Sequence, residues 1–110
     1  PYVIAGQNMP TSSDNDTTLV VYGISESQSR DITKDWNLDL KITNNNNSSI
    51  NIVESDIKVC DQAGWSYQST KSDEITLLPG ETLRLSIDIR DVSLLSDPVS
   101  IEFMNNSVSL

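Results

Sequence analysis

The chain has 110 residues, with 16 Asp and Glu against 7 Lys and Arg and a formal charge of −9. One hydrophobic core fits in that length and two do not, and so acidic a chain offers no positively charged face for nucleic acid or for an anionic membrane. The absence of His and the single Cys exclude His-based general acid/base and nucleophilic catalysis, His-containing or multi-thiolate metal sites, and an internal disulfide. No apolar run approaches about 18 residues, so no membrane insertion by this segment is expected. Ser, Thr and Asn supply 35 residues and the hydrophobic fraction is 36%. Such a composition is common in exported proteins. An extracytoplasmic location is therefore expected, whether secreted, periplasmic or anchored at the cell surface. N-x-[ST] triplets begin at Asn15, Asn46, Asn47 and Asn105 and are glycan acceptors where the source glycosylates exported proteins.

Residues 1–17 are rich in Gly, Asn, Ser and Asp apart from Tyr2-Val3-Ile4-Ala5, and read as a partly ordered N-terminal tail or linker. The domain proper is expected over 18–110. Leu19 to Ile24 is an apolar and aromatic run of strand length, followed by the polar Ser25 to Arg30, which either continues an edge strand or loops. In Asp35 to Thr43, Trp36, Leu38, Leu40 and Ile42 alternate with polar residues, so one face is buried and the other wet. Four Asn and two Ser then turn the chain at 44–49. Ile50 to Val53 resumes an apolar pattern, and Asp56 to Asp61 is a strand with Ile57 and Val59 inward. Asp61-Gln62-Ala63-Gly64 is a hairpin-type turn that returns through Trp65 and Tyr67. Glu74 to Leu78 is stopped by Pro79-Gly80, a type II turn signature. Leu83, Leu85, Ile87 and Ile89 alternate in the next strand. Asp91 to Pro98 is a connection with Leu94-Leu95 in a candidate turn of 3₁₀ helix. Val99, Ile101 and Phe103 alternate again, and Asn105-Asn106 turns the chain into Val108 to Leu110.

Seven or eight short strands separated by turn signals, with no helical periodicity, define an all-β chain. The expected architecture is an antiparallel β-sandwich, with a barrel as the lesser alternative. Between Asn37 and Ile89 three stretches carry a resemblance: Leu38 to Asn45, Ile57 to Gly64 with Tyr67 beyond, and Leu78-Pro79-Gly80-Glu81 leading into the Leu83 strand. Their order resembles the immunoglobulin-like domains of prokaryotic extracytoplasmic proteins and lipoproteins, the FxLYD-type and related families. The phenylalanine-led signature itself is not matched, since Ile57-Lys58-Val59-Cys60-Asp61 occupies its place. The resemblance covers about half the chain and implies an immunoglobulin-like β-sandwich acting as a surface or periplasmic module without catalytic residues.

Few residues are candidates for chemistry. Cys60 falls on the face opposite Ile57 and Val59, among acidic neighbours that disfavour a thiolate, and reads as a small filler rather than a reactive thiol. Asp14-Asn15-Asp16 opens like a calcium loop but lacks the Gly and Glu that would complete one. Asp31, Asp35, Asp61, Asp91 and Asp97 all lie near strand ends, where a sandwich can gather carboxylates around Ca²⁺. Solvated turn carboxylates are the plainer account. Paired carboxylates for glycoside hydrolysis find no setting that raises a pKa. Trp36 belongs to the inward set, whereas Trp65, beside Gly64 in a turn, is the better contact residue although partial burial is expected for it. The expected role is thus a non-enzymatic module for binding, adhesion or structural support. It would engage a protein or cell-surface partner through loops at one end of the sandwich or through an exposed edge strand. A calcium-stabilised domain of a surface array and a carbohydrate-binding module using Trp65 and Tyr67 are the alternatives; no other cofactor is expected.

Overall fold

The computed structural model describes residues 2–4, 11–13 and 16–110, and the backbone alone for Tyr2–Ile4. In chain order the strands are β1 (Tyr2–Ile4), β2 (Thr11–Ser13), β3 (Thr17–Gln28), β4 (Thr33–Asn44), β5 (Ile50–Val53), β6 (Lys58–Asp61), β7 (Ser66–Gln68), β8 (Glu74–Leu77), β9 (Thr82–Ser93), β10 (Pro98–Phe103) and β11 (Asn106–Ser109). One sheet runs β1-β3-β4-β9, with β2 also paired to β3; the second runs β11-β10-β6-β7; β5 and β8 form a separate ribbon. Every pairing is antiparallel. The architecture is the expected antiparallel immunoglobulin-like β-sandwich, with eleven strands among the described residues where seven or eight were expected.

The core follows from alternation. Trp36, Leu38, Leu40 and Ile42 on β4 stand beside Leu19, Val21 and Ile24 on β3 and Ile87, Ile89 and Val92 on β9. Val59, Ile101, Phe103 and Val108 of the second sheet and Ile52 and Leu77 of the ribbon complete the same cluster. Burying each such side chain contributes about 1.5–3 kcal/mol. Trp36 is central: its ring meets that of Tyr67 edge-on at 5.4 Å and 82°, a favoured aromatic arrangement.

Four local features refine the sequence reading. Tyr2–Ile4 and Thr11–Ser13, inside the stretch read as a tail, are strands on β3. Ser12 Oγ donates to Asn106 Oδ1 at 2.8 Å and Asn106 Nδ2 to Thr17 Oγ1 at 2.6 Å, which ties β2 to β3 and β11. Asp14 and Asn15 lie outside the described residues, and with them the Asp14-Asn15-Asp16 stretch as a unit and the first glycan triplet. Secondly, β3 runs on to Gln28, kept in phase by a bulge between Val21 and Gly23 that lets Val21 and Ile24 both face inward. Thirdly, Val99 is 41% exposed, because a second bulge between Pro98 and Ser100 turns it out of the alternating set. Fourthly, the 3₁₀ turn occurs at Glu54–Asp56, while β9 extends to Ser93 and Leu94-Leu95 form a simple turn. Of the remaining triplets, Asn47 and Asn105 are exposed, whereas Asn46 donates its amide to Asp16 at 2.7 Å.

Candidate functional site

The β3–β4 turn, the β6–β7 turn and the β9–β10 connection meet at one end of the sandwich. Trp65, expected to be partly buried, is 70% exposed there, with Ile32 at 78%, Leu95 at 84% and Leu94 at 37%. A hollow of about 560 Å³ lies among Ile32, Leu94, Leu95 and Tyr67, and another of about 500 Å³ among Trp65, Leu95, Tyr67 and Ser96. Leu95 and Tyr67 line both, so the four exposed side chains belong to one surface. Contiguous exposed apolar surface of this kind marks an interaction site far more often than isolated exposed residues do.

What holds Leu94 and Leu95 outward is a connection whose polar backbone groups are paired. Leu94 N–H donates to Ile32 O and Ser96 N–H to Ser93 O. Leu95 N–H donates to Ser93 Oγ, Gln62 Nε2 donates to Leu95 O at 2.7 Å, and Asp97 N–H donates to Gln62 Oε1 at 2.7 Å. From beneath, the buried Lys34 Nζ donates to Leu94 O at 3.4 Å and to Ser96 O. Its third partner is Glu26 Oε1 at 2.8 Å, which also accepts from Trp36 Nε1 at 3.0 Å. Burial of Glu26 works against its charge, yet the hydrogen bonds from Lys34 and Trp36 and the Lys34 charge together hold its carboxyl below the ordinary 4.5.

The Trp65 turn is fixed as firmly. Gly64 takes φ 89°, which suits a residue without Cβ, and Asp61 Oδ1 accepts from Ala63 N–H at 3.0 Å and Trp65 N–H at 2.9 Å. Asp61 Oδ2 accepts from Ser96 Oγ at 2.7 Å. With its one proton spent on Asp61, Ser96 Oγ accepts from Tyr67 OH at 3.0 Å. The Ser96 hydroxyl lowers the Asp61 pKa below the usual 3.8, burial opposes this, and the N–H groups of Trp65, Ala63 and Gly64 add to the lowering. A carboxyl depressed by folding stabilises above its unfolded pKa, and that stability is lost as pH falls through the folded value. The urea midpoint is therefore expected to hold steady from neutrality to about pH 5 and to drop below about pH 4. Asp61→Asn should lower the midpoint at neutral pH and flatten the acid limb; an unchanged acid limb would count against this role for Asp61.

The five carboxylates proposed for calcium share this end but not a centre. Asp61 is consumed by protein donors. Asp35 Oδ1 accepts from Asp91 N–H at 3.3 Å, Asp91 is exposed on β9, and Asp31 and Asp97 are exposed on separate loops. Among the described residues no three His, Cys, Asp or Glu side chains form a group able to hold a metal ion. Asp91 lines the hollow beside Ile32, and Asp31 adjoins Ile32 in the chain. Trp65 and Tyr67 do adjoin, but Tyr67 is half-buried against Trp36 and its hydroxyl is engaged, so Trp65 alone presents a free aromatic face. Cys60 is half-buried on the second sheet, opposite Ser100 and Ser66.

Sequence reasoning missed Ile32, Leu94 and Leu95 as surface anchors and Lys34 as their support. The signals were an apolar doublet inside a polar connection and a lysine in phase, two positions before Trp36, with the inward set of β4.

No protein-family model and no curated protein matches the chain. Among solved structures it is similar to MPT63, a secreted protein from Mycobacterium tuberculosis, with a TM-score of 0.60 over 91% of this chain and 86% of that one at 17% identity. That likeness shows the fold. No helix among the described residues is long and apolar enough to cross a membrane.

Proposed function

We propose that the chain is a non-catalytic, extracytoplasmic binding module that docks another protein at the loop end bearing Ile32, Trp65, Leu94 and Leu95. The observation that carries this reading is the exposure of four large apolar side chains from three loops on a hydrogen-bonded frame. Rigid display lowers the ordering cost of association, and a central aromatic with aliphatic neighbours is the composition of an interface anchor. Asp31, Asp91 and Asp97 border the surface, so the complementary partner carries an apolar knob flanked by Lys or Arg. The secreted nature of the structural neighbour and the Ser/Thr/Asn-rich composition support an exported role, as does the likeness of Leu38–Asn45 and Leu78–Glu81 to FxLYD-type modules.

A peptide library displayed on phage and selected on the wild-type domain tests the docking surface. Enriched peptides are expected to pair an aromatic or aliphatic anchor with basic residues, and to bind Leu95→Asp and Trp65→Ala about tenfold or more weakly. Both side chains are exposed, so the melting temperature should barely move. Equal binding to the variants would sink the proposal. A carbohydrate platform instead calls for glycan-array binding that Trp65→Ala abolishes and Leu95→Asp spares.

A further inference from the structure

We infer that β9 is a self-association edge through which two copies of this chain join their large sheets antiparallel, in a register centred on Ser86. On its opposite flank this sheet is covered, because β1 and β2 both pair with β3; β9 closes the other flank and, among the described residues, pairs with β4 alone. No backbone hydrogen bond reaches its outer side from another part of the described chain. An open edge of this length is a template for another strand. Between Thr82 and Ile89 the register with β4 is unbroken, and a bulge follows at Arg90 and Asp91, where Asp91 takes φ 60°. The pairing-competent stretch is therefore the first part of β9, where Leu83 and Leu85 face the core layer yet stay half-buried. The β7–β8 connection lies beside β9 at Asp88–Asp91, leaving a hollow of about 340 Å³.

The register follows from backbone parity and charge. Asn44 N–H donates to Glu81 O at 2.9 Å, so alternation sends the polar groups of Leu83, Leu85 and Ile87 toward β4 and those of Thr82, Arg84, Ser86 and Asp88 outward. Two-fold pairing about Ser86 uses this outward set. It places Arg84 opposite Asp88 of the second copy, twice by symmetry, and Leu83 and Leu85 opposite Ile89 and Ile87. Centring on Ile87 instead would oppose Arg84 to Arg90, and centring on Arg84 or Asp88 would oppose like charges directly. A shift that pairs an even with an odd position would turn one copy's apolar face to water. In the single copy Arg84 Nε and Nη2 donate to Asp39 on β4 at 3.0 and 2.8 Å and the guanidinium lies 3.7 Å from the Tyr22 ring on β3, so pairing swings this exposed side chain from β4 toward the edge and Asp88 of the second copy. Asp88 Oδ1 accepts from Asn37, leaving Oδ2.

Sedimentation of the wild-type protein over a wide concentration range is expected to show mass rising from 12.2 kDa toward twice that value. Ser86→Pro removes an outward N–H and the exposed hydroxyl that meets Asn37, neither of which is buried, so it should shift the melting transition only slightly and lose the dimer. Asp88→Lys, which sets like charges opposite Arg84, should lose the dimer with no proline involved. In a Cys60→Ser background, Ser86→Cys should form an intermolecular disulfide on mild oxidation, since facing Cα atoms lie about 5.5 Å apart. Asp88→Cys should not, because in this register the two copies of position 88 are offset by four residues along the strands and lie about 14 Å apart. A wild-type chain that stays monomeric, a dimer that survives Ser86→Pro and Asp88→Lys, or cross-linking equal at 86 and 88 overturns the proposal.

Discussion

Lys34→Ala is expected to destabilise the domain by about 3–5 kcal/mol, the range for breaking a buried ion pair from one side. Lys34 and Glu26 side chains are 6% and 9% exposed, so the variant leaves a carboxylate with only Trp36 Nε1 as donor among the hydrogen bonds described above. It also strips Leu94 O and Ser96 O of their buried partner, at about 1–3 kcal/mol for each group left unsatisfied, not fully additive. Chemical unfolding measures the loss; a change under about 1 kcal/mol would refute the buried network. The double variant Lys34→Met, Glu26→Gln keeps the stem's volume and an acceptor for Trp36 without a lone charge, and should recover much of the stability. It should not recover the order of the β9–β10 connection, whose carbonyls still lack a donor. Amide exchange at Leu94 to Asp97 is therefore expected to remain fast, and with it peptide binding to remain weak, even where the fold is restored.

Asn44→Ala carries the second large effect, about 2–4 kcal/mol. Asn44 is fully buried. Its Nδ2 donates to Ser48 O and Leu77 O, each at 2.9 Å, and its Oδ1 accepts from Asn46 N–H at 2.8 Å. Its backbone accepts from Gly80 N–H and donates to Glu81 O, both at 2.9 Å. One side chain thus clamps the β4–β5 turn and the end of β8, and the same residue's backbone meets the Pro79-Gly80 turn. The neighbouring Asn45 and Asn47 are exposed, so Asn45→Ala and Asn47→Ala should each cost under about 1 kcal/mol. Equal losses across the three positions in thermal or urea unfolding would show that the tract acts only as a flexible turn.

The contrast within this Asn tract shows how far sequence reading reaches. Composition marks the turn that follows β4 at 45–49, because Asn favours such backbone conformations wherever it stands, although Asn44 itself still belongs to the strand. Which Asn is swallowed by the core depends on where β8 and the Pro79-Gly80 turn pass, and no local property of the four residues encodes that. Val99 makes the same point in reverse: its alternation with Ile101 and Phe103 is sound, and a bulge against Asp61 turns it outward. Trp65 was legible as a turn aromatic, while its exposure, and the retreat of Tyr67 onto Trp36, were decided by the packing of β7 over β4.

What the sequence determined by itself is the layer plan. Period-2 alternation in β4 and β9 dictates a half-wet antiparallel sheet, since burying Trp36 to Ile42 and Leu83 to Ile89 requires a facing layer. The acidic excess then falls on wet faces and turns, and the lack of His with a lone Cys removes the commonest catalytic and metal chemistries. Only the tertiary structure decided that Ile32, Trp65, Leu94 and Leu95, spread over 64 residues of chain, share one surface. It also decided that Lys34 supports that surface from below and that β9 is left with an open edge. These outcomes follow from which strands pair and which loops share an end, and long-range pairing is selected by the burial of the whole core rather than by any one segment.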